Sequence, residues 1–240
     1  MDEDRLRTEL AEACALLYDR GLTVSAGGNM SVRCGDSVLI TPSGTNKGLL
    51  RPGDLVKVSM DGTVVSGSKP SIETGFHLAL YGADPGINAV VHCHPLHCVA
   101  LTVNGRSLRC NITPEGALLL GKVAEIPYIT PGTPELVEAV RANAGSKAMV
   151  MVRHGALTQG ATLREACDRM EELEFQARLQ LLCPDAEDLP DDELARLGVL
   201  RWRSSSRSGS DASWWTRSRA GYWTRGSCRR TRRPRPRSSP

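Results

Sequence analysis

The sequence predicts an α/β domain on a mainly antiparallel sheet, filling residues 1–200. Two observations carry the prediction. Short apolar runs follow one another through tight turns, too close for the long crossovers that parallel strands need. Stretches with helical spacing of leucine, alanine and valine are interspersed among them. A third observation concerns chemistry: the run VVHCHPLHC, residues 90–98, ends a buried strand on two histidines.

In chain order, residues 2–20 read as an amphipathic helix, with Asp2 and Glu3 at its positive end and Leu6, Leu10, Ala13 and Leu17 on one face; Gly21 ends it. Gly27-Gly28-Asn29 reads as a tight turn into a strand over 30–33, and Gly35-Asp36 turns that strand into 38–40. TPSGTNKG (41–48) offers hydroxyls and an open backbone, the way an anion-holding turn is built, although SGT alone is a common loop. A hairpin over 55–58 and 63–65 turns at Asp61-Gly62.

Pro70 and Ser71 read as a helix start. Glu73 falls in its first turn, where a carboxylate suits the helix dipole, and His77 reads as a helix-face residue. Helices are expected over 95–103, 113–123, 134–143 and 161–183, and strands over 125–128 and 147–152. The strand 147–152 ends at Arg153-His154-Gly155, where the chain is expected to open into a loop. Glu171, Glu172 and Glu174 read as a solvated face, and 191–197 as a last short helix.

Residues 201–240 have a different composition. They carry twelve Arg and one Asp and all four Trp, leaving 18 basic against 26 acidic side chains in the first 200 residues. This tail has almost no aliphatic residues, so composition predicts disorder. Basic residues with interleaved aromatics can bind nucleic acid, a reading that rests on the tail alone. A shifted reading frame in GC-rich coding DNA would yield the same mixture, and resequencing through codon 200 distinguishes the two.

At 40% apolar and 24% charged the chain reads as a soluble protein, and no apolar run reaches membrane-span length. The charged start MDEDRLRTEL is no signal peptide, and eight scattered cysteines without a CxxC fit reduced thiols in a cytoplasm.

His92 and His94, two apart on a strand, point to one face and can close on one ion; a structural pair is the blander alternative. Cys93 between them faces the other way. His154 stands at a second strand end. Three protein ligands and an open position are the signature of a catalytic zinc site, and a carboxylate alongside serves as fourth ligand, general base, or each in turn.

The motifs GGNMSV, ITPSGTNKG, KPSIETGFHLALY, AVVHCHPLHC and VRHGAL, in this order, resemble the class II (zinc-dependent) aldolase family, over about residues 5–185. That family is typified by L-fuculose-1-phosphate aldolase. Its relatives include L-ribulose-5-phosphate 4-epimerase, methylthioribulose-phosphate dehydratase and the metal-free adducin head.

The resemblance implies a three-layer α/β/α sandwich and a homotetramer with sites at subunit contacts. It implies one zinc, or another divalent metal, per subunit on His92, His94 and His154, with Glu73 both metal neighbour and proton-moving base. Gly28, Asn29, Ser43, Gly44, Ser71 and the backbone N–H of Ile72 would hold a substrate phosphate. The implied reaction is cleavage of a ketose 1-phosphate to dihydroxyacetone phosphate and an aldehyde, through a zinc-stabilised ene-diolate. Epimerase or dehydratase chemistry, or a non-catalytic binding module, are the alternatives.

Glu73 favours the aldolase, since the epimerases have Asp there. The departures lie elsewhere: Ala26 and Ile72 replace phosphate-contacting hydroxyls, and Asn111, Thr113 and Pro114 stand where an aldehyde-side tyrosine is expected.

Overall fold

A computed structural model describes residues 2–204. Helix α1 (Glu3–Asp19) starts at Asp2, whose carboxylate accepts from the Asp4 N–H, and ends before Gly21 at φ 74°. Strands β1 (Asn29–Cys34) and β2 (Ser37–Ile40) form the expected hairpin, followed by β3 (Val56–Ser59) and β4 (Val64–Ser66). Next come α2 (Thr74–Ala83), β5 (Ala89–Cys93), α3 (Leu96–Val103), α4 (Pro114–Leu119) and β6 (Ala124–Ile126). The described chain closes with α5 (Pro134–Ala142), β7 (Ala148–Met151), β8 (Gly155–Gly160), α6 (Leu163–Leu182) and α7 (Asp191–Ser204).

The strands form one sheet in the order β4-β3-β2-β1-β5-β8-β7-β6, with every neighbouring pair antiparallel except β6 and β7. Helices cover both faces, which makes the three-layer sandwich. Leu10, Leu17, Leu101, Met170 and Leu173 from α1, α3 and α6 pack with Met30, Val32, Val91 and Cys93 of the sheet. On the opposite face Phe76, Leu80, Leu136 and Val140 of α2 and α5 meet Val38, Ile40, Val90, Met149 and Leu157. Each such fully buried aliphatic side chain contributes roughly 1.5–3 kcal/mol. Among the described residues no helix is long and apolar enough to cross a membrane.

Several expectations need correction. The chain does not open into a loop after His154: Gly155 begins β8, a central strand buried along its whole length. A strand covered on both faces shows no alternation, and GALTQG is too short to stand out by apolarity. Helix α4 stops at Leu119 because Gly121 takes φ 63°, and β6 stops before Tyr128. The acidic patch on α6 is a packed face: Glu171 pairs with Arg20, Glu172 bonds Gln176, and Glu174 accepts from the His97 and Cys98 N–H groups at the start of α3. Helix α7 continues to Ser204, past the expected end at 197. The expectation of disorder for the tail otherwise lies outside the described residues.

Candidate active site

The site grows from the end of β5. Register places Asn29 of β1 directly opposite His92, so both side chains leave the sheet on the α2 face, while Cys93 is buried in the other core. The Nδ1 of His92 donates to the Ala156 carbonyl at 2.9 Å, which leaves its Nε2 as a lone pair. That Nε2 lies 3.1 Å from the Nε2 of His94.

His154 arrives from the turn between β7 and β8. The preceding Arg153 holds φ 59°, a strained conformation for a side chain of its size, and its N–H is fixed by the Thr102 hydroxyl at 2.9 Å. The ligating atoms of His92, His94 and His154 all lie within 4.8 Å of one another.

Glu73 joins them from the cap position of α2, one residue ahead of the expected helical turn and without capping the helix through its side chain. Its Oε2 is 3.4 Å from His92 Nε2 and its Oε1 3.4 Å from His154 Nε2. Only 6% of the residue is exposed. Helix-end electrostatics, the bland reading of this carboxylate, does not describe where it points.

Burial keeps the imidazoles neutral: it holds His92 well below its ordinary pKa, lowers His94 and takes His154 down to about 4. The same burial raises Glu73, opposed by the hydrogen bond it accepts from Asn29. Glu73 Oε1 and His154 Nδ1 are buried with no hydrogen-bond partner. Neutral ring nitrogens and an orphaned carboxylate oxygen facing one point are costly by themselves. A cation among them would remove that cost. The donor set, three imidazoles beside a carboxylate, fits a divalent metal of the zinc kind.

The residues expected at a phosphate lie on three turns, the first against the histidines and the other two linked to each other and to Glu73. Gly28 has φ 69°, and a Cβ there would sit 2.6 Å from the His92 carbonyl oxygen; one on Gly27 would sit 2.8 Å from His94 Nδ1. Those glycines therefore let the first turn lie against the histidine strand. The Ser43–Gly44 turn is laced to the segment before Glu73 through Ser43 N–H to Lys69 O and Ser71 N–H to Thr41 O. Ser71 Oγ accepts from the Glu73 N–H at 3.3 Å, and Ile72 keeps its side chain exposed. Asn29 is already committed: its Nδ2 donates to Glu73 Oε2 at 2.7 Å and its Oδ1 meets His77 Nε2 at 2.5 Å.

The sequence reading takes His77 for a helix-face residue and passes over Lys47. His77 is fully buried and faces the sheet, where Ser31 and Tyr81 continue its bonds. Its signal was the helical spacing from Glu73. Lys47, 1% exposed, donates to Ala26 O at 3.2 Å and Thr45 O at 2.8 Å, tying two of the turns together. Burial lowers its pKa. Nothing in TNKG signalled a buried cation. The segment around Asn111 bonds elsewhere: Thr113 Oγ1 accepts from Gln176 at 2.5 Å, and Asn111 O from the Leu189 N–H at 2.7 Å.

Residues 8–181 match the model of the Class II Aldolase and Adducin N-terminal domain. The L-fuculose phosphate aldolase of Methanococcus vannielii is 38% identical over 171 residues, 71% of this chain and 93% of that protein. The 3-oxo-tetronate 4-phosphate decarboxylase of Pectobacterium atrosepticum is 37% identical over 203 residues, 81% of this chain and 93% of that protein. Among solved structures, YgbL of Escherichia coli superposes with a TM-score of 0.78 at 34% identity, covering 81% of this chain and 98% of that one. An L-fuculose 1-phosphate aldolase superposes at 0.75 and 29% identity, covering 81% and 94%. With these likenesses across the domain, the chain belongs to the class II aldolase and adducin N-terminal domain family.

Proposed function

We propose that this protein is a metal-dependent lyase that breaks a carbon–carbon bond beside the carbonyl of a phosphorylated sugar. In this reading it cleaves a ketose 1-phosphate of the L-fuculose 1-phosphate kind to dihydroxyacetone phosphate and an aldehyde. One observation carries it: three imidazole nitrogens and a buried carboxylate oxygen without a partner face the same point.

His92, His94 and His154 would hold the metal, zinc in this reading. When bound, it supplies Lewis acidity toward the substrate carbonyl. The remaining chemistry belongs to the chain. Glu73 is the base and acid: its Oε1 is free of hydrogen bonds, and burial raises its proton affinity. Asn29 holds the other oxygen, Oε2, so that one face of the carboxylate is fixed while the other works. Gly28, Ser43, Gly44, Ser71 and the backbone N–H of Ile72 receive the phosphate, which anchors the substrate away from the bond that breaks. Asn29 serves that subsite by its backbone, because its side chain is spent. Three histidines and a buried carboxylate at one point argue against a purely structural, adducin-like module.

A second reading has its own support. Decarboxylation of a 3-oxo-tetronate 4-phosphate, the substrate in the name of a 37% identical relative, leaves the same three-carbon ketone phosphate. Aldol cleavage must take the proton from the hydroxyl that becomes the aldehyde, whereas a carboxylate leaves as carbon dioxide with no such proton to remove. That reaction therefore needs no aldehyde-side tyrosine, and Asn111, Thr113 and Pro114 occupy that loop here. In both reactions the carbon that loses its substituent takes a proton from Glu73. Homotetrameric assembly and a cytoplasmic location belong to the same proposal, and sedimentation of the purified chain tests the former.

The deciding experiment measures metal content and assays dihydroxyacetone phosphate release from L-fuculose 1-phosphate and 3-oxo-tetronate 4-phosphate. About one metal per chain, with release from either substrate and none in Glu73→Gln, is the expected result; which substrate works chooses the reading. Metal without release would overturn both, and no metal would turn the assignment toward a binding module.

A further inference from the structure

The α2 face of the sheet buries an unbroken run of five polar side chains. Tyr81 OH lies 2.8 Å from Ser31 Oγ, Ser31 Oγ 2.7 Å from His77 Nδ1, His77 Nε2 2.5 Å from Asn29 Oδ1, and Asn29 Nδ2 2.7 Å from Glu73 Oε2. All five residues are under 9% exposed. Buried polar groups on this scale persist only when each finds its partner.

The direction of every bond follows from one end. A carboxylate only accepts, so the Asn29 atom facing it is the N–H₂ group, and its carbonyl oxygen faces His77. His77 must then carry its proton on Nε2, which makes Nδ1 an acceptor. Ser31 donates to that Nδ1 and, having spent its proton, accepts from Tyr81. Phe76 stacks on His77 with ring centroids 4.8 Å apart and holds the ring in plane.

We propose that His77 is a positioning residue: by donating from Nε2 to Asn29 it locks the Asn29 amide so that only an N–H faces Glu73, fixing the carboxylate that moves the proton. The proposal rests on the reading of Glu73 as the base. Without the His77 donor the amide is free to rotate by half a turn, and its carbonyl oxygen would then oppose the carboxylate and displace it. His77 hydrogen-bonds none of the three clustered histidines and meets the first turn only through the Asn29 side chain, so its loss should strike the proton transfer more than substrate binding.

The test uses the full-length, metal-loaded protein and the substrate that releases dihydroxyacetone phosphate. His77→Leu is expected to lower kcat about 30-fold with KM within about 2-fold and metal content unchanged. His77→Gln, whose amide N–H₂ reaches the same side, should recover kcat to within about 5-fold of wild type. Ser31→Ala, which frees the tautomer without removing the donor, should cost about 5-fold, and Tyr81→Phe, one bond further out, about 2-fold. A role in packing alone would instead follow melting temperature and give no rescue by glutamine.

Independently of turnover, nitrogen-15 spectra of the histidine-labelled protein should show His77 as the neutral Nε2–H form. The Nδ1–H form, or a folded His77→Leu with normal kcat, or a loss confined to KM, overturns the proposal. If His77→Leu does not fold, the Ser31→Ala kinetics and the tautomer decide it. Glu73→Gln run alongside separates the two levels: full turnover there refutes Glu73 as the base. An inactive Glu73→Gln beside a normal His77→Leu refutes only the positioning role.

Discussion

The two faces of the central sheet differ along β5. Along β5 the side chains alternate, and Ala89, Val91 and Cys93 enter a core of leucines, methionines and cysteines, sealed by α1, α3 and α6. Val90 and His92 enter the other face, where Asn29, Ser31, Glu73 and His77 are buried as well. The first face spends its burial on apolar area, which stabilises without direction. The second buries donors and acceptors, which stabilise only when paired and oriented, and which point to one place. Both faces hold the fold, since Phe76, Leu80, Val90 and Leu157 pack on the second as well, and the second also carries Asn29, Glu73, His77 and His92.

The sharpest way to break that comparison is Glu73→Gln. It keeps size and burial but cannot carry the proton, so kcat should fall by about 10³-fold while metal content and melting temperature hold. A smaller effect is expected from His154→Ala. Removing a ligand costs more than removing one of its outer partners, so metal affinity should drop by more than about 100-fold in a chelator competition. Lys47→Met should act through binding: it severs the tie between the Ala26 and Thr45 carbonyls, loosening two of the turns proposed to receive the phosphate. KM should rise about 10-fold with kcat within about 2-fold. On the apolar face, Leu101→Ala should cost about 2–5 kcal/mol in urea unfolding and leave kcat unchanged. A catalytic loss there without a stability loss would blur the division between the faces.

The sequence made the apolar face and the turns legible because their signals are local. Helical spacing located α1, α5 and α6, and Gly35, Asp61 and Gly62 located the hairpins. His92, His94, His154 and Glu73 were legible as residues, each at the end of a run. What periodicity missed was long-range. Strand β8 is covered on both faces and so carries no alternation. Glu171 and Glu174 look solvated in sequence because their partners, Arg20 and the start of α3, lie more than 70 residues away. The commitment of the Asn29 side chain depends on Glu73 and His77, which reach it only after the sheet has formed. Lys47 reads as a loop residue because nothing within TNKG shows that Ala26 will accept its proton.

The smallest expected effect concerns the thiols, and it tests the apolar face directly. Burial pushes the Cys14 thiol up to about 12 and lifts Cys93, Cys98 and Cys167 well above their ordinary range. The thiolate is the reactive form, and a raised pKa keeps it scarce until pH passes well beyond 8. In the native protein at pH 8, an alkylating reagent should therefore modify exposed Cys183 and spare those four, and turnover should not change. In denaturant all five should react. Native labelling of Cys93 would carry more information than the others, because it lies between His92 and His94 on the opposite side of the strand. Its reaction would mean that β5 opens toward α6 on the labelling timescale. The strand that fixes the two histidines would then be held less firmly than its complete burial on both faces requires.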